Sequence, residues 1–258
     1  MPLRLKTTAG LAELEIDIPP VNVLDLAALE EFTALVLRAG GERVLLLRGL
    51  PRAFSAGFSI AEHVPDPESI EAMLAAMRGA LNALVKTPAV TVASVSGACL
   101  GGGAELVAAC DVVLVAEDAR IGFPEIRLAC FPPGAAALLP LRIGGPRAAE
   151  WILTGRIVSG REAVSAGFAA HAFRPEDLST ETARIVRQLV GTSAAALAGA
   201  RDLLRAERRR ALAEALPHAE DAYRLLAGSD DLARAVAEFP KRGRDTAEIT
   251  REREVGED

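Results

Sequence analysis

The spacing of apolar runs predicts an α/β fold. Short apolar stretches at Val44 to Leu47, Val90 to Val95 (the most β-branched) and Asp111 to Glu117 alternate with helical segments at Asp25 to Arg38 and Ser69 to Lys86. Strand, helix, strand, helix, strand is the order of sheets covered by helices. From Pro175 onward Ala, Leu, Arg and Glu dominate and strand formers are few, which predicts a helical C-terminal region.

Along the chain, Leu3 to Ile18 holds two alternating stretches around Thr8-Ala9-Gly10, a hairpin ended by Pro19-Pro20. Asp25 can cap a helix that carries Leu26, Leu29, Phe32, Leu35 and Val36 on one face and Glu30, Glu31 and Arg38 away from it. Gly40-Gly41 stops that helix. The strand at Val44 leaves through Arg52-Ala53-Phe54-Ser55-Ala56-Gly57-Phe58-Ser59, which reads as an ordinary turn or as a loop displaying a backbone donor. Pro65-Asp66-Pro67-Glu68 opens the next helix and Pro88 bounds it. Beyond Phe131-Pro132-Pro133-Gly134 the helical pattern resumes at Ala135 to Leu141 and breaks at Gly144-Gly145-Pro146. It resumes again over Arg147 to Thr154 and after a cap at Ser159.

Composition sets limits on function. A chain of 258 residues, 50% hydrophobic and 25% charged, can bury a full core. Twenty-nine basic against 35 acidic side chains leave a net charge of −6, which argues against a nucleic-acid surface. The N-terminus lacks the apolar core of a signal peptide, and no run approaches the ~18 residues of a membrane span; a cytoplasmic protein without a membrane partner is expected. Cys99, Cys110 and Cys130 are odd in number, lie in apolar surroundings and show no CxxC spacing, so buried thiols are expected rather than disulfides or a metal site. Arg201 to Asp258 carries twelve basic and fourteen acidic side chains, so Arg208-Arg209-Arg210 reads as a solvated or subunit-facing run, not an anion site.

The chemistry concentrates between Ser94 and Glu125. A buried strand runs into Gly97-Ala98-Cys99-Leu100-Gly101-Gly102-Gly103, where a helix begins, and adjacent glycines there let backbone N–H groups approach a ligand with no Cβ in the way. Glu105 stands in the first helical turn beside those glycines, and Glu125 follows Pro124 twenty residues later. Water addition needs one group to accept a proton and another to supply one. Two neighbouring carboxyls in a partly dry pocket hinder each other's ionisation, so one can stay protonated near neutral pH. The plainer alternative makes Glu105 a favourable first-turn acid and Glu125 a loop carboxylate.

Ala53-Phe54-Ser55-Ala56-Gly57, Gly97 to Glu105, Gly122-Phe123-Pro124-Glu125, Leu153-Thr154-Gly155-Arg156 and Ala163 to Gly167 agree in order and spacing with one family over nearly the whole chain. Together they resemble the enoyl-CoA hydratase/isomerase (crotonase) superfamily. The resemblance implies a crotonase-like spiral of ββα units over residues 1–190, a helical region for oligomerisation over 191–258, and trimers or pairs of trimers. It implies an acyl-CoA substrate and no separate cofactor, coenzyme A being part of the substrate.

Carried over position by position, it places the two oxyanion-hole amides on Phe58 and Gly102 and the two catalytic glutamates on Glu105 and Glu125. Retention of both acids leans toward an enoyl-CoA hydratase, a hydro-lyase. An isomerase, hydrolase or decarboxylase on the same scaffold, and a silent acyl-CoA-binding protein, remain as alternatives. Ala56, Phe123 and Pro133 are expected at the substrate. Arg52 matches a basic position at the nucleotide end of CoA, and Phe239 and Lys241 resemble an aromatic and basic cluster lent by a neighbouring subunit.

Several positions depart from the family pattern. Ser59 stands for a common Asp, Phe58 is bulkier than usual, and Phe123 replaces a frequent Gln. Pro133 falls where simple hydratases have a glycine whose N–H helps position water, and proline has no N–H. The Phe-Pro-Pro segment, with Phe54 to Gly57 and Ala61-Glu62-His63, is similar to the branch that hydrates cyclic dienoyl-CoA thioesters; His63 faces either that pocket or solvent.

Overall fold

The expected N-terminal hairpin is present. β1 (Leu3–Thr8) and β2 (Leu11–Ile16) pair antiparallel, with Leu3 opposite Ile16 and Thr8 opposite Leu11. The structure, a computed structural model, describes residues 3–60 and 66–238. β2 hands over to a run of parallel strands, β4 (Val44–Arg48), β7 (Val90–Val95), β9 (Val112–Ala116) and β12 (His171–Phe173), giving a six-stranded sheet in the order β1-β2-β4-β7-β9-β12. Its central strands are apolar on both faces because both are covered: Leu45, Leu47, Val92, Ala93 and Leu114 are fully buried.

After each of β4, β7 and β9 the chain steps sideways into a short strand of a second sheet. These strands are β5 (Ala53–Ser55), β8 (Ala98–Leu100) and β10 (Arg120–Gly122), joined by β11 (Ile157–Ser159) in the order β11-β10-β8-β5. A two-residue pair, β3 (Val23–Leu24) with β6 (Gly57–Phe58), fastens the loop after β5 to the N-terminal segment. The steps close with α2 (Pro67–Lys86), α3 (Gly102–Ala109) and a 3-10 turn at Pro124–Leu128. This is the expected ββα repeat.

Local signals account for the helices. The Asp25 carboxylate accepts the Ala28 N–H at 2.8 Å to start α1 (Leu26–Arg38), whose Leu29, Phe32 and Val36 are buried. α2 begins two residues before the expected Ser69, because Asp66 accepts the Ser69 amide at 2.9 Å and Pro67 suits the first helical position. α4 (Pro133–Ile143), α5 (Gly145–Thr154), α6 (Gly160–Ala166) and α7 (Leu178–Val190) follow, and α7 lies across the large sheet. α8 (Ala194–Leu204) leads into α9 (Ala206–Ala227), which packs on both α2 and α4. Among the described residues no helix is long and apolar enough to cross a membrane. The three cysteines are free and buried, as expected.

The basic run does not behave as one solvated stripe. Arg208 is mostly buried and donates to the Ala109 and Cys110 carbonyls (2.9 and 2.7 Å) and to Asp111 (2.7 Å), whereas Arg209 and Arg210 pair at the surface with Asp202 and Glu207. The carbonyl end of α3 and the Asp111 carboxylate together attract the cation. Beside it Arg205 is fully buried, donating to Asp111 (2.8 Å), Thr87 O (2.6 Å) and Ala89 O (2.8 Å). Burial alone would raise the Asp111 carboxyl; the Arg205 hydrogen bond and charge outweigh it and hold the group below its ordinary range. This network locks α9 to the large sheet. Arg205→Met leaves Asp111 buried with half its compensation and should cost about 3–5 kcal/mol in urea unfolding; an unchanged midpoint would show that the network does not anchor the helix.

Candidate active site

Two turns meet at the N-terminus of α3. Gly57 has φ of 102°, and a Cβ there would lie 2.9 Å from the Leu100 carbonyl oxygen and 3.5 Å from the Gly102 nitrogen. The Phe58 ring covers Gly102, where an added Cβ would come within 2.6 Å of the ring. The N–H groups of Ala56 and Ser59 donate to Val21 and Leu24 at 2.9 and 2.8 Å, in and beside β3. Gly102 opens α3, so its N–H has no acceptor within the helix. Gly101 has φ of 52°, and a Cβ there would meet a Glu125 carboxyl oxygen at 2.7 Å. The glycines thus make room for Phe58 and for a carboxyl.

Glu105 is buried in the first turn of α3, and its Oε1 accepts the Ala135 N–H at 2.7 Å. The capping follows from the sequence: α4 opens on Pro132-Pro133, which offers neither a capping side chain nor an N–H, and Glu105 fills the vacancy. Burial pushes the Glu105 carboxyl up to about 7, with the Ala135 and Gly134 amides pulling the other way. Glu125 sits in the 3-10 turn, its Oε2 buried without a hydrogen-bond partner among the described residues. Burial first and the Glu105 charge second raise its carboxyl well above the usual range. Two hindered carboxyls face one space.

That space is a cavity of about 1180 Å³. It gathers Ala56, Phe58, Gly102, Glu105, Glu125 and Pro133, all expected at the site. Phe123 is a correction. It is fully buried, edge-on to Phe168 with ring centroids 6.4 Å apart, and lies outside the cavity lining. Ile121 and Phe123 alternate out of β10 onto one face, and that face is the core. Arg52 is exposed before β5 and does not line the cavity. His63, Phe239 and Lys241 lie outside the described residues.

Sequence reasoning missed the helical walls. α2 supplies Met73, Leu74, Met77 and Arg78, and α9 supplies Leu216, Glu220 and Tyr223. A signal was available in α9: Leu212, Leu216, Glu220 and Tyr223 fall at i, i+4, i+8 and i+11, one helical stripe, and all four are buried. It contains the only tyrosine of the chain.

The sequence model described as enoyl-CoA hydratase/isomerase matches residues 6–245. The chain belongs to the enoyl-CoA hydratase/isomerase family. Among its relatives within that family, "Cyclohexa-1,5-dienecarbonyl-CoA hydratase" of Thauera aromatica is 35% identical over 61% of this chain, a match that spans 62% of that protein's length. A "Probable enoyl-CoA hydratase" of Bacillus subtilis is 34% identical over 67% of this chain and 70% of its own. Of solved structures, an enoyl-CoA hydratase/isomerase from Xanthobacter autotrophicus Py2 superposes with a TM-score of 0.84 at 26% identity, covering 100% of this chain and 99% of that one. An enoyl-CoA hydratase from Mycobacterium avium subsp. paratuberculosis K-10 shares the fold at a TM-score of 0.86 and 23% identity, over 94% of this chain and 96% of its own. The expected class, an enoyl-CoA hydratase-like lyase of crotonase fold, agrees with the family and with these names.

The raised carboxyls set a pH dependence of stability. Glu105 moves from an ordinary 4.5 to about 7, so between those values the folded state binds more protons than the unfolded one. Stability from this group is full below about pH 4.5 and is lost as pH rises through 7. Glu105→Gln, which keeps an acceptor for Ala135, should therefore be more stable than wild type at pH 8, by on the order of 3 kcal/mol, and match it near pH 4. Urea midpoints at the two pH values check this; equal differences at both would contradict the shift.

Proposed function

We propose that the protein adds water across the α,β double bond of an unsaturated acyl-CoA thioester. The observation that carries the reading is the pair of buried carboxyls, Glu105 and Glu125, in one cavity bounded by the glycine turn of α3 and the Phe58 loop. In the reading, the thioester oxygen takes hydrogen bonds from the Phe58 and Gly102 amides. The ionised carboxylate removes a proton from water while the oxygen attacks the β-carbon. The π electrons pass toward the thioester oxygen as an enolate, and the protonated carboxyl delivers its proton to the α-carbon. Each oxyanion donor is worth roughly 3 kcal/mol of transition-state stabilisation. Every proton comes from a side chain or from water, so no further cofactor is needed.

The acyl group is the finer part of the proposal. The lining around the carboxyls is apolar and bulky, with Phe58, Met73, Met77 and Phe131. Such a wall suits a ring-containing or conjugated diene acyl group, the class named in the Thauera relative. Arg52, His63, Phe239 and Lys241 are assigned to the CoA and substrate periphery in the same reading. Exposed Leu203, Leu204 and Leu225 on α8 and α9, 74–83% accessible, support burial of this region in a trimer or a pair of trimers.

A panel of straight-chain, branched and cyclic enoyl-CoA thioesters, followed by absorbance of the conjugated thioester and by mass for a gain of one water, tests the reading. Double-bond shift, free CoA or carbon dioxide in place of that gain would assign isomerase, hydrolase or decarboxylase chemistry. Glu105→Gln and Glu125→Gln should each lower turnover by at least about 10²-fold with acyl-CoA binding retained. Unchanged turnover in both would remove the proposed roles.

A further inference from the structure

Two buried polar atoms in the cavity lack a hydrogen-bond partner among the described residues: the Glu125 Oε2 and the Tyr223 hydroxyl. The first is accounted for by the chemistry above. The second is not. Tyr223 is 2% exposed on α9, its ring edge-on to Phe131 with centroids 5.7 Å apart. The Cys130 thiol lies beside its hydroxyl, but that thiol donates to the Glu125 carbonyl at 3.4 Å, and sulfur is a weak acceptor. A desolvated hydroxyl without an oxygen or nitrogen partner is a standing cost unless a ligand meets it.

At the N-terminus of α4, which borders the same cavity, the amides are largely committed within the protein. Pro133 has no N–H, Ala135 donates to Glu105 at 2.7 Å with Gly134 pulling on the same carboxyl, and Ala136 donates to Pro132 O at 2.9 Å. Further along the wall, Arg78 and Glu220 are paired with each other. Among the described residues, Tyr223 carries the buried side-chain hydroxyl at this end that has no such partner.

We propose that the Tyr223 hydroxyl holds the attacking water, and afterwards the product β-hydroxyl, against the carboxyl pair. This rests on the hydratase reading. One water hydrogen leaves to the ionised carboxylate, the oxygen bonds to the β-carbon, and the second hydrogen stays on that oxygen, where the phenol oxygen accepts it. Tyr223 gains and loses no proton in the step. Burial raises the phenol far above its ordinary range, which keeps it a neutral donor and acceptor at every working pH.

Tyr223→Phe keeps the ring against Phe131 and removes only the hydroxyl. Three measurements on wild type and variant test the role: hydration kinetics, deuterium exchange at the α-carbon of a saturated acyl-CoA in D₂O, and melting temperature. The saturated thioester calls on the carboxyls and the oxyanion donors but presents no β-oxygen. Hydration kcat should fall about 10²-fold with KM nearly constant, exchange should stay within a few-fold, and the melting temperature should hold or rise. Hydration kcat within a few-fold of wild type, a change confined to KM, or hydration and exchange falling together with a lower melting temperature would each overturn the proposal. A wild type that adds water to no thioester would overturn the hydratase reading itself, and this inference with it.

Discussion

The hydrogen bond from the Ala135 amide to the Glu105 carboxyl is the contact on which the site depends. It joins the N-terminal turns of α3 and α4 at 2.7 Å, in a place where two successive prolines leave α4 with neither a cap nor its first N–H. A carboxyl with no such partner could stay in so dry a position only by keeping its proton. The helix N-terminus makes burial tolerable without fully reversing it, so Glu105 is raised yet still able to ionise near neutral pH. Glu125, with an unpartnered oxygen and a carboxyl neighbour, is pushed in the same direction with less to oppose it. The two acids are chemically identical, and burial in one cavity raises both, so the pair holds on to a proton that isolated carboxyls would have lost.

The glycine turn serves that arrangement sterically. Gly101 leaves room for the Glu125 carboxyl, and Gly102 lets the Phe58 loop close over the start of α3. Backbone amides and carboxyls can then crowd around one small volume. α9 closes it from the other side. Its anchorage through Arg205, Arg208 and Asp111 lies near the start of the helix, and the stripe ending at Tyr223 runs from there along the cavity.

What the sequence made legible follows from how locally each feature is encoded. Asp25 with Leu29, Phe32 and Val36, the apolar run Val90 to Val95, and the glycines before Glu105 each carry their signal within a few residues. The second sheet does not: β5, β8, β10 and β11 are three residues each, too short for an alternating period, and they exist because the ββ steps bring them side by side. Phe123 was misplaced because its neighbour Glu125 reaches the cavity, while the alternation out of β10 sends Phe123 to the core. Arg205 and Tyr223 were silent because their partners lie more than 90 residues away in the chain, at Asp111 and Phe131. Arg208 looked solvated by local charge balance, which takes no account of the carbonyl end of α3.

The central claim is that one carboxyl of the pair keeps its proton at neutral pH inside the cavity. Infrared difference spectra of wild type against Glu125→Gln, recorded from pH 4 to 9, read this directly. The account predicts a protonated-carboxyl carbonyl band still present at pH 7 in the wild type and weaker in the variant, where the band left by Glu105 fades as pH rises through about 7. A wild-type spectrum at pH 7 with carboxylate bands alone, both acids titrating near the ordinary 4.5, would contradict it.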